Sequence, residues 1–223
     1  MVTFHLWRVA RTGPALGRVA TDRLRLRRCP GLAFARILGA ASGFTPRDAD
    51  LRRWAILATW KDESSATRFE QGGLVGRWDA AATERWSARL NPCSSRGRWS
   101  RREPFGRPER EVGTGPVAAL TRARLHPLRA RRFRRAVDPV ADQLSGRDGL
   151  VFGLGVGEWP VGLQGTFSVW SGTEALRGFA YGAGAHAEVV RRTPAEGWYS
   201  EELFARFSVV RCSGQVEGIE VRR

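Results

Sequence analysis

The sequence is poor in the side chains from which many metal sites are built, with three histidines and three cysteines among 223 residues. Cys29, Cys93 and Cys212 lie far apart and form no CxxC pair, so a zinc knuckle has no support. Their odd number gives no basis for a disulfide framework either. We therefore expect three reduced thiols that behave as small apolar side chains.

A long hydrophobic run is also missing. No apolar stretch approaches the roughly 18 residues that a bilayer-crossing helix needs. The N-terminus, MVTFHLWRVARTG, alternates like a strand and lacks the basic start, the apolar stretch and the cleavage site of a secretory signal. These absences predict a cytoplasmic protein.

Lysine is almost absent, although the chain is strongly basic. Lys61 is the only lysine, so arginine carries nearly all of the positive charge behind the net charge of +15. Arginine runs at 96–102 and 129–135 could contact phosphates, but no helix-turn-helix, zinc finger or RNP-type strand accompanies them. Nucleic-acid binding is therefore not favoured. An anionic membrane face or an acidic redox partner explains the charge at least as well.

The chain repeats a pattern of its own. A strand-like apolar run, Trp54–Trp60, is followed by a helical start, and Gln164–Trp170 is followed by another. In both copies the final tryptophan precedes a phenylalanine by nine residues, and the two copies are offset by 110. Asp62 with Ser65 fits a helix cap at this point of the first copy.

Each half of the chain reads strand–helix–strand–strand–helix–strand, which is the order of the ferredoxin-like fold. We therefore predict an α+β protein in which two ferredoxin-like halves, residues 1–92 and 114–223, are fused as a dimeric α/β-barrel-type fold. We expect the functional site of the protein to lie in the second half. Residues 93–113 are rich in Arg, Ser, Gly and Pro without an apolar period, which predicts a linker or surface loop. A shorter irregular stretch is predicted at 41–53.

The motif Gly153-Leu-Gly155-Val-Gly157 has glycines that suggest a nucleotide-binding loop. Such a loop should continue into a helix whose N-terminus receives the pyrophosphate. Here Pro160 follows soon after, which indicates a turn into the next strand. The glycines are instead expected to allow close passage of the backbone, or a bulge near a ligand.

The three histidines are too few to build a metal site from several histidine ligands. A haem, by contrast, needs only one protein ligand, because the porphyrin supplies four nitrogens. His126, directly before Pro127, is predicted in a solvent-facing turn. His5 shares a strand face with Trp7, so it either points into the interior of a barrel or fills the core. His186 begins a helical run after a glycine-rich segment, and its ring either reaches a cavity between helix and sheet or packs structurally.

A second helix start, Thr193-Pro194-Ala195-Glu196, has threonine at the N-cap, proline at the first helical position and glutamate at the third. It places Trp198 and Tyr199 just before the last main strand. Aromatic side chains at this point either belong to the core or line a pocket for a planar cofactor or a long hydrocarbon. The sequence has neither a nucleophile elbow nor a paired-carboxylate signature, so a hydrolase is not favoured.

Three segments carry a resemblance to a known family: Gly115–Pro127, Gly165–Tyr181 and His186–Phe207. Together they are similar to the spheroidene monooxygenases, haem-dependent oxygenases of carotenoid synthesis. The first half agrees more loosely with the family, and residues 93–112 depart from its pattern.

The resemblance implies a dimeric α/β-barrel-type fold, a haem with its iron, and insertion of oxygen into a carotenoid methylene to give a keto group. It implies His186 as the proximal iron ligand. Arg122 and Arg192 become partners of the haem propionates, because a planar guanidinium can bind a carboxylate through two parallel hydrogen bonds. Trp198 and Tyr199 become walls of the pocket. The resemblance identifies no catalytic residue.

The resemblance also implies partners. A ferredoxin would supply electrons, and an acidic one would suit the net charge of +15. A carotenoid-like apolar substrate is dissolved in the membrane. The basic surface of a cytoplasmic protein is therefore expected to dock at the inner face of that membrane. A non-catalytic haem- or lipophile-binding protein with the same barrel and His186 is the alternative function.

Overall fold

The computed structural model describes residues 1–44, 48–108, 114–125, 147–158, 163–181 and 199–220. Within these ranges the strands are β1 Val2–Val9, β2 Leu32–Ala41, β3 Ala49–Trp60, β4 Ala82–Gly97, β5 Val117–Leu125, β6 Leu150–Gly157, β7 Leu163–Trp170, β8 Tyr199–Val216 and β9 Ile219–Glu220. The helices are α1 Thr12–Leu26, α2 Glu63–Glu70, α3 Gly73–Asp79 and α4 Thr173–Tyr181. None of the described helices is long and apolar enough to span a membrane.

Eight strands form one antiparallel sheet that closes on itself. Their order is β4-β1-β3-β2-β6-β7-β5-β8, and β8 pairs again with β4. The first four strands of the chain pair with the next four at two places, and these two pairings differ in length. Strands β4 and β8 pair from Trp86 to Gly97, whereas β2 and β6 pair through Gly39 and Ala40. The strand order β4-β1-β3-β2 recurs as β8-β5-β7-β6, so the repeat in the sequence corresponds to a repeated strand order. The predicted α+β class is confirmed.

The interior of the closed sheet is filled with aromatic side chains from both halves of the chain. The rings of Phe4 on β1 and Phe167 on β7 stack with their centroids 3.9 Å apart. Trp86 meets Phe152 edge-on at 4.8 Å. A closed sheet of about eight strands has an interior just wide enough for side chains to fill. The halves therefore share one core.

Helices α1, α2 and α3 cover the outer face of the first half. Asp22 of α1 is fully buried and joins α1 to α3, because its carboxylate accepts hydrogen bonds from Trp78 Nε1 and Arg77 Nη2 at 3.0 Å each. The predicted cap of α2 is confirmed, since the Asp62 carboxylate accepts a bond from the Ser65 amide at 2.7 Å.

Two stretches differ from the irregular structure that composition predicts. Strand β3 already begins at Ala49, inside the stretch 41–53. Strand β4 continues to Gly97, inside 93–113, because β8 is long enough to pair with its extension. Beyond the strand, Trp99 and Phe105 are buried in the interior cluster. The described part of 93–113 therefore contributes to the core as well as to the surface.

The glycines of β6 allow the close backbone approach expected from the sequence. A Cβ on Gly153 would lie 2.4 Å from Cζ of Phe44, and the amide of Gly155 donates to the carbonyl of Gly43 at 2.7 Å. The approaching backbone is the chain's own segment before β3. This contact explains the glycine spacing without a nucleotide.

Candidate functional site

A cluster of buried and partly buried charges lies at the end of the closed sheet where β5 ends and β8 begins. Arg122 is 3% exposed and shares the interior-facing side of β5 with Leu120. Glu201 lies on the same side of β8 as Leu203, which is the register partner of Arg122. Arg122 Nη1 donates a hydrogen bond to the Glu201 carboxylate. Alternation along two neighbouring strands therefore brings an inward-facing guanidinium and an inward-facing carboxylate together.

The carboxylate of Glu201 is held by the backbone as well as by Arg122. The amides of Ser100 and Arg101 donate to its two oxygens at 2.9 and 2.8 Å. Both residues have left-handed backbones, with φ of 52° and 62°, so their successive amides converge on one anion. Burial alone would raise the pKa of Glu201, but these amides and the Arg122 guanidinium outweigh it and lower the pKa below its ordinary value.

Trp99 connects this ion pair to a second one. Its indole N–H donates a hydrogen bond to the Glu158 carboxylate, and Arg36 Nε donates to the same carboxylate at 2.8 Å. The Arg122 guanidinium carbon lies 5.4 Å from the centre of the Trp99 ring, within range of a cation–π interaction. We call Arg36, Trp99, Arg122, Glu158 and Glu201 the end cluster.

The end cluster leaves two donors unused. Nε and Nη2 of Arg122 are buried and have no hydrogen-bond partner among the residues that the structure describes. An unpaired buried donor is costly, and a guanidinium edge with two free N–H groups matches a carboxylate. The Nε and Nη2 edge of Arg122 therefore has the donor chemistry that a carboxylate such as a haem propionate requires.

The structure places two of the five candidate site residues. Arg122 lies in the end cluster, and Tyr199 begins β8 at the same end of the sheet, in register with Leu125. The other three lie outside the described residues: His186, Arg192 and Trp198. Of the candidate residues, Arg122 thus has donors of the kind that a propionate requires, while the candidate iron ligand falls outside the described residues.

His5 lies on the outer face of β1, away from the interior. Its ring stacks 5.4 Å from that of Trp7 and lies 5.6 Å from that of Phe69 on α2. Burial lowers its pKa to about 4, so the imidazole is neutral at pH 7. Of the two alternatives left by the sequence, His5 fills the core beneath a helix. Within the described part of the chain, no group of three or more His, Cys, Asp or Glu side chains could hold a metal ion.

Sequence reasoning missed four members of the end cluster: Arg36, Trp99, Glu158 and Glu201. One signal was available, because Glu201 alternates with Leu203 and Ala205 and so occupies an inward-facing position of an apolar strand. The others have no local signal, since Trp99 lies in a polar stretch and finds its partner 59 residues further along the chain.

Comparison with known proteins gives the family. No family model matches the sequence. The chain is 35% identical over 195 residues to a spheroidene monooxygenase from Rhodobacter capsulatus, and the match covers 85% of this chain and 80% of that protein. The chain belongs to the spheroidene monooxygenase family. The resemblance carried by the three segments of the second half is confirmed.

Two further similarities extend the comparison. A spheroidene monooxygenase from Cereibacter sphaeroides is 36% identical over 208 residues, covering 91% of this chain and 64% of that protein. The chain thus spans less than two thirds of the length of this relative. The crystal structure of an aldoxime dehydratase in complex with butyraldoxime is 12% identical, with a TM-score of 0.59 over 93% of this chain and 79% of that chain. That likeness concerns the fold alone.

Proposed function

We propose that the protein is a haem-dependent monooxygenase that introduces a keto group into a carotenoid or a similar apolar substrate. The observation that carries the proposal is the match to the Rhodobacter capsulatus relative over 85% of this chain, because the name of that relative specifies both spheroidene and monooxygenation. Sequence identity of about one third over nearly the whole chain supports a shared reaction class more strongly than a likeness of fold does.

The proposed fold is a fusion of two ferredoxin-like halves, residues 1–92 and 114–223, arranged as in a dimeric α/β barrel. The repeated strand order of the closed sheet supports it. The shared interior explains why the halves would be joined in one chain, since each half exposes one apolar sheet face that the other covers. On this proposal, residues 93–113 join the two halves.

The proposed cofactor site combines described and undescribed residues. His186 is the proposed iron ligand. Arg122 and Arg192 are proposed to bind the propionates, and the unpaired Nε and Nη2 of Arg122 support this role. Trp198 and Tyr199 are proposed as pocket walls. Haem, when bound, supplies oxygen activation and the oxidising chemistry, while the protein orients the apolar substrate and excludes water.

The proposed partners follow from the charge and the substrate. An acidic ferredoxin as electron donor is supported by the net charge of +15, because complementary charge speeds the association of redox partners. Because an apolar substrate dissolves in the membrane, we propose that the protein works in the cytoplasm at the inner face of the membrane. Contact with that membrane would be peripheral.

The activity can be tested by coexpressing the protein with a pathway that produces spheroidene, extracting the pigments and separating them by chromatography. We expect a ketocarotenoid in cells with the wild-type protein and none with His186→Ala. His126→Ala is the matched control, because it makes the same chemical change at a predicted solvent-facing turn. Pigment that copurifies with the protein but stays unchanged would favour the non-catalytic binding protein instead.

The cofactor can be tested separately from turnover. Protein purified from cells supplied with a haem precursor is expected to show a Soret band, and His186→Ala is expected to lose most of it, because the iron loses its protein ligand. A colourless wild-type protein would contradict the haem proposal. An unchanged spectrum in His186→Ala would assign the iron to another ligand.

A further inference from the structure

The outward face of α1 carries a line of apolar side chains. Leu16, Ala20 and Leu24 are spaced four residues apart and therefore lie along one side of the helix. Leu16 is 43% exposed and Leu24 is 60% exposed. Single exposed leucines are common on protein surfaces, so the line by itself indicates nothing. The charged side chains beside this line of apolar residues indicate what the surface could bind.

Exposed arginines flank this line. Arg27 is the C-cap of α1 and Arg28 follows it in a turn, so both exposed side chains lie at the C-terminal end of the helix, just beyond Leu24. Arg23 precedes Arg27 by four residues and is also exposed. Among the described side chains, none forms an ion pair with these three arginines. By contrast, Arg25 is paired with Asp22 at 3.1 Å.

The residues of α1 add no negative charge to this face. The only acidic residue of α1 is Asp22, and it points inward, where Trp78 and two arginines bind its carboxylate. The only carboxylate of α1 is thus already used within the fold. The outward face and C-terminal end of α1 together present leucines and guanidinium groups that form no ion pair with a described side chain.

We propose that the α1 face, defined by Leu16, Ala20, Leu24, Arg23, Arg27 and Arg28, is a docking surface for an anionic lipid bilayer. A helix of this kind lies in the membrane plane, with its apolar side chains at the boundary between headgroups and acyl chains and its cationic side chains at the lipid phosphates. The leucines favour lipid over nucleic acid, since phosphate contacts alone would need no apolar line.

This inference rests on the surface of α1 and not on the proposed oxidation chemistry. It adds to the proposed function by naming the surface through which an enzyme acting on a membrane-dissolved substrate would meet that membrane. Vesicle binding needs neither haem nor turnover. Failure of the docking surface and failure of the proposed function would therefore be seen in different experiments.

The test measures cosedimentation of the purified full chain with lipid vesicles. We expect binding to vesicles of phosphatidylcholine with phosphatidylglycerol, weakening as salt is added, and little binding to phosphatidylcholine alone. The triple variant Arg23→Gln/Arg27→Gln/Arg28→Gln is expected to bind on the order of a hundredfold more weakly. The double variant Leu16→Ser/Leu24→Ser keeps the charge and is expected to bind about tenfold more weakly, because it removes the inserted apolar surface.

The matched control is Arg102→Gln/Arg124→Gln/Arg177→Gln, which removes the same charge from exposed positions outside α1. It is expected to keep most of the vesicle binding, and circular dichroism checks that all variants are folded. Equal losses in both triple variants would overturn the proposal, because net charge alone would then drive binding. The proposal would also be overturned if the wild-type protein did not bind anionic vesicles. A dimer in analytical ultracentrifugation that dissociates in Leu16→Ser/Leu24→Ser would overturn it too, because the leucines would then join two copies of the chain.

Discussion

Replacing Phe167 with alanine is expected to lower the free energy of unfolding by about 3–5 kcal/mol, the usual cost of removing a buried aromatic ring. Phe167 is fully buried, and its ring stacks on Phe4 from the other half of the chain. Trp86 and Phe152 also contact it, with ring centres 6.1 and 6.3 Å away. The cavity left by the ring would lie where both halves meet, so neither half could collapse into it without disturbing the other.

Denaturant unfolding followed by circular dichroism measures this loss, and Phe204→Ala is its matched control. Phe204 is half-buried on the outward side of β8, and the centre of its ring lies 5.3 Å from the guanidinium carbon of Arg96. Its removal should therefore lower the free energy of unfolding by about 1 kcal/mol or less. Equal losses in the two variants would contradict a tightly packed shared interior. A wild-type protein that unfolds in two separate transitions would also contradict it, since a shared core predicts one cooperative transition.

The repeated order of strands and helices could be predicted because each element leaves a pattern in its own short stretch of sequence. Apolar runs of strand length, the cap at Asp62 and the offset of 110 between the tryptophan-ended strands each report on one element or its copy. Pairing of the strands then follows from topology, because a sheet with one apolar face must cover it. The fold class was accessible for these reasons.

Alternation could not decide which face of β1 is the interior. Phe4 and Leu6 alternate with His5 and Trp7, and all four are buried. In this fold both faces of the first-half sheet are covered, one by the opposite strands and the other by the helices. A strand covered on both faces has apolar side chains throughout, so its sequence loses the polar side that identifies the outside. The position of His5 therefore required the structure.

The segment after β4 shows a second limit of sequence reasoning. Its arginines and glycines predict a loop, and the described backbone after Gly97 is indeed irregular. Trp99 is nevertheless buried, because Glu158 accepts the hydrogen bond of its indole, and Glu201 accepts those of the next two amides. The acceptor of the Ser100 amide lies 101 residues away in the chain. Burial that depends on such distant acceptors leaves no local pattern.

Replacing Glu201 with alanine is expected to lower the free energy of unfolding by about 3–5 kcal/mol, because it leaves the buried guanidinium of Arg122 without a counter-ion. Within the described part of the chain, Glu201 is the only carboxylate paired with Arg122. The amides of Ser100 and Arg101 would lose their acceptor in the same step. We therefore expect Glu201→Ala to loosen the segment that carries Trp99, as well as to destabilise the whole fold.

Denaturant unfolding again measures the loss, and the neighbouring Glu202→Ala supplies the control. Glu202 faces the other side of β8, so its removal should change the free energy of unfolding by less than about 1 kcal/mol. The double variant Arg122→Met/Glu201→Leu should recover part of the loss, because an apolar pair needs no counter-ion. Recovery should stay incomplete, since the two amides remain without an acceptor. Equal effects of Glu201→Ala and Glu202→Ala would show that the ion pair does not support the fold.

The pH dependence of stability tests the same carboxylate without removing its volume. The pKa of Glu201 is lower in the fold than its ordinary value of 4.5, so the folded state binds the proton less readily than the unfolded chain does. Its contribution is therefore complete above the unfolded pKa and is lost as the pH falls from there through the folded pKa. Other carboxylates titrate in the same range, but the difference between wild type and Glu201→Gln isolates this one. That difference should shrink on acidification, and parallel pH profiles of the two proteins would contradict the role assigned to Glu201.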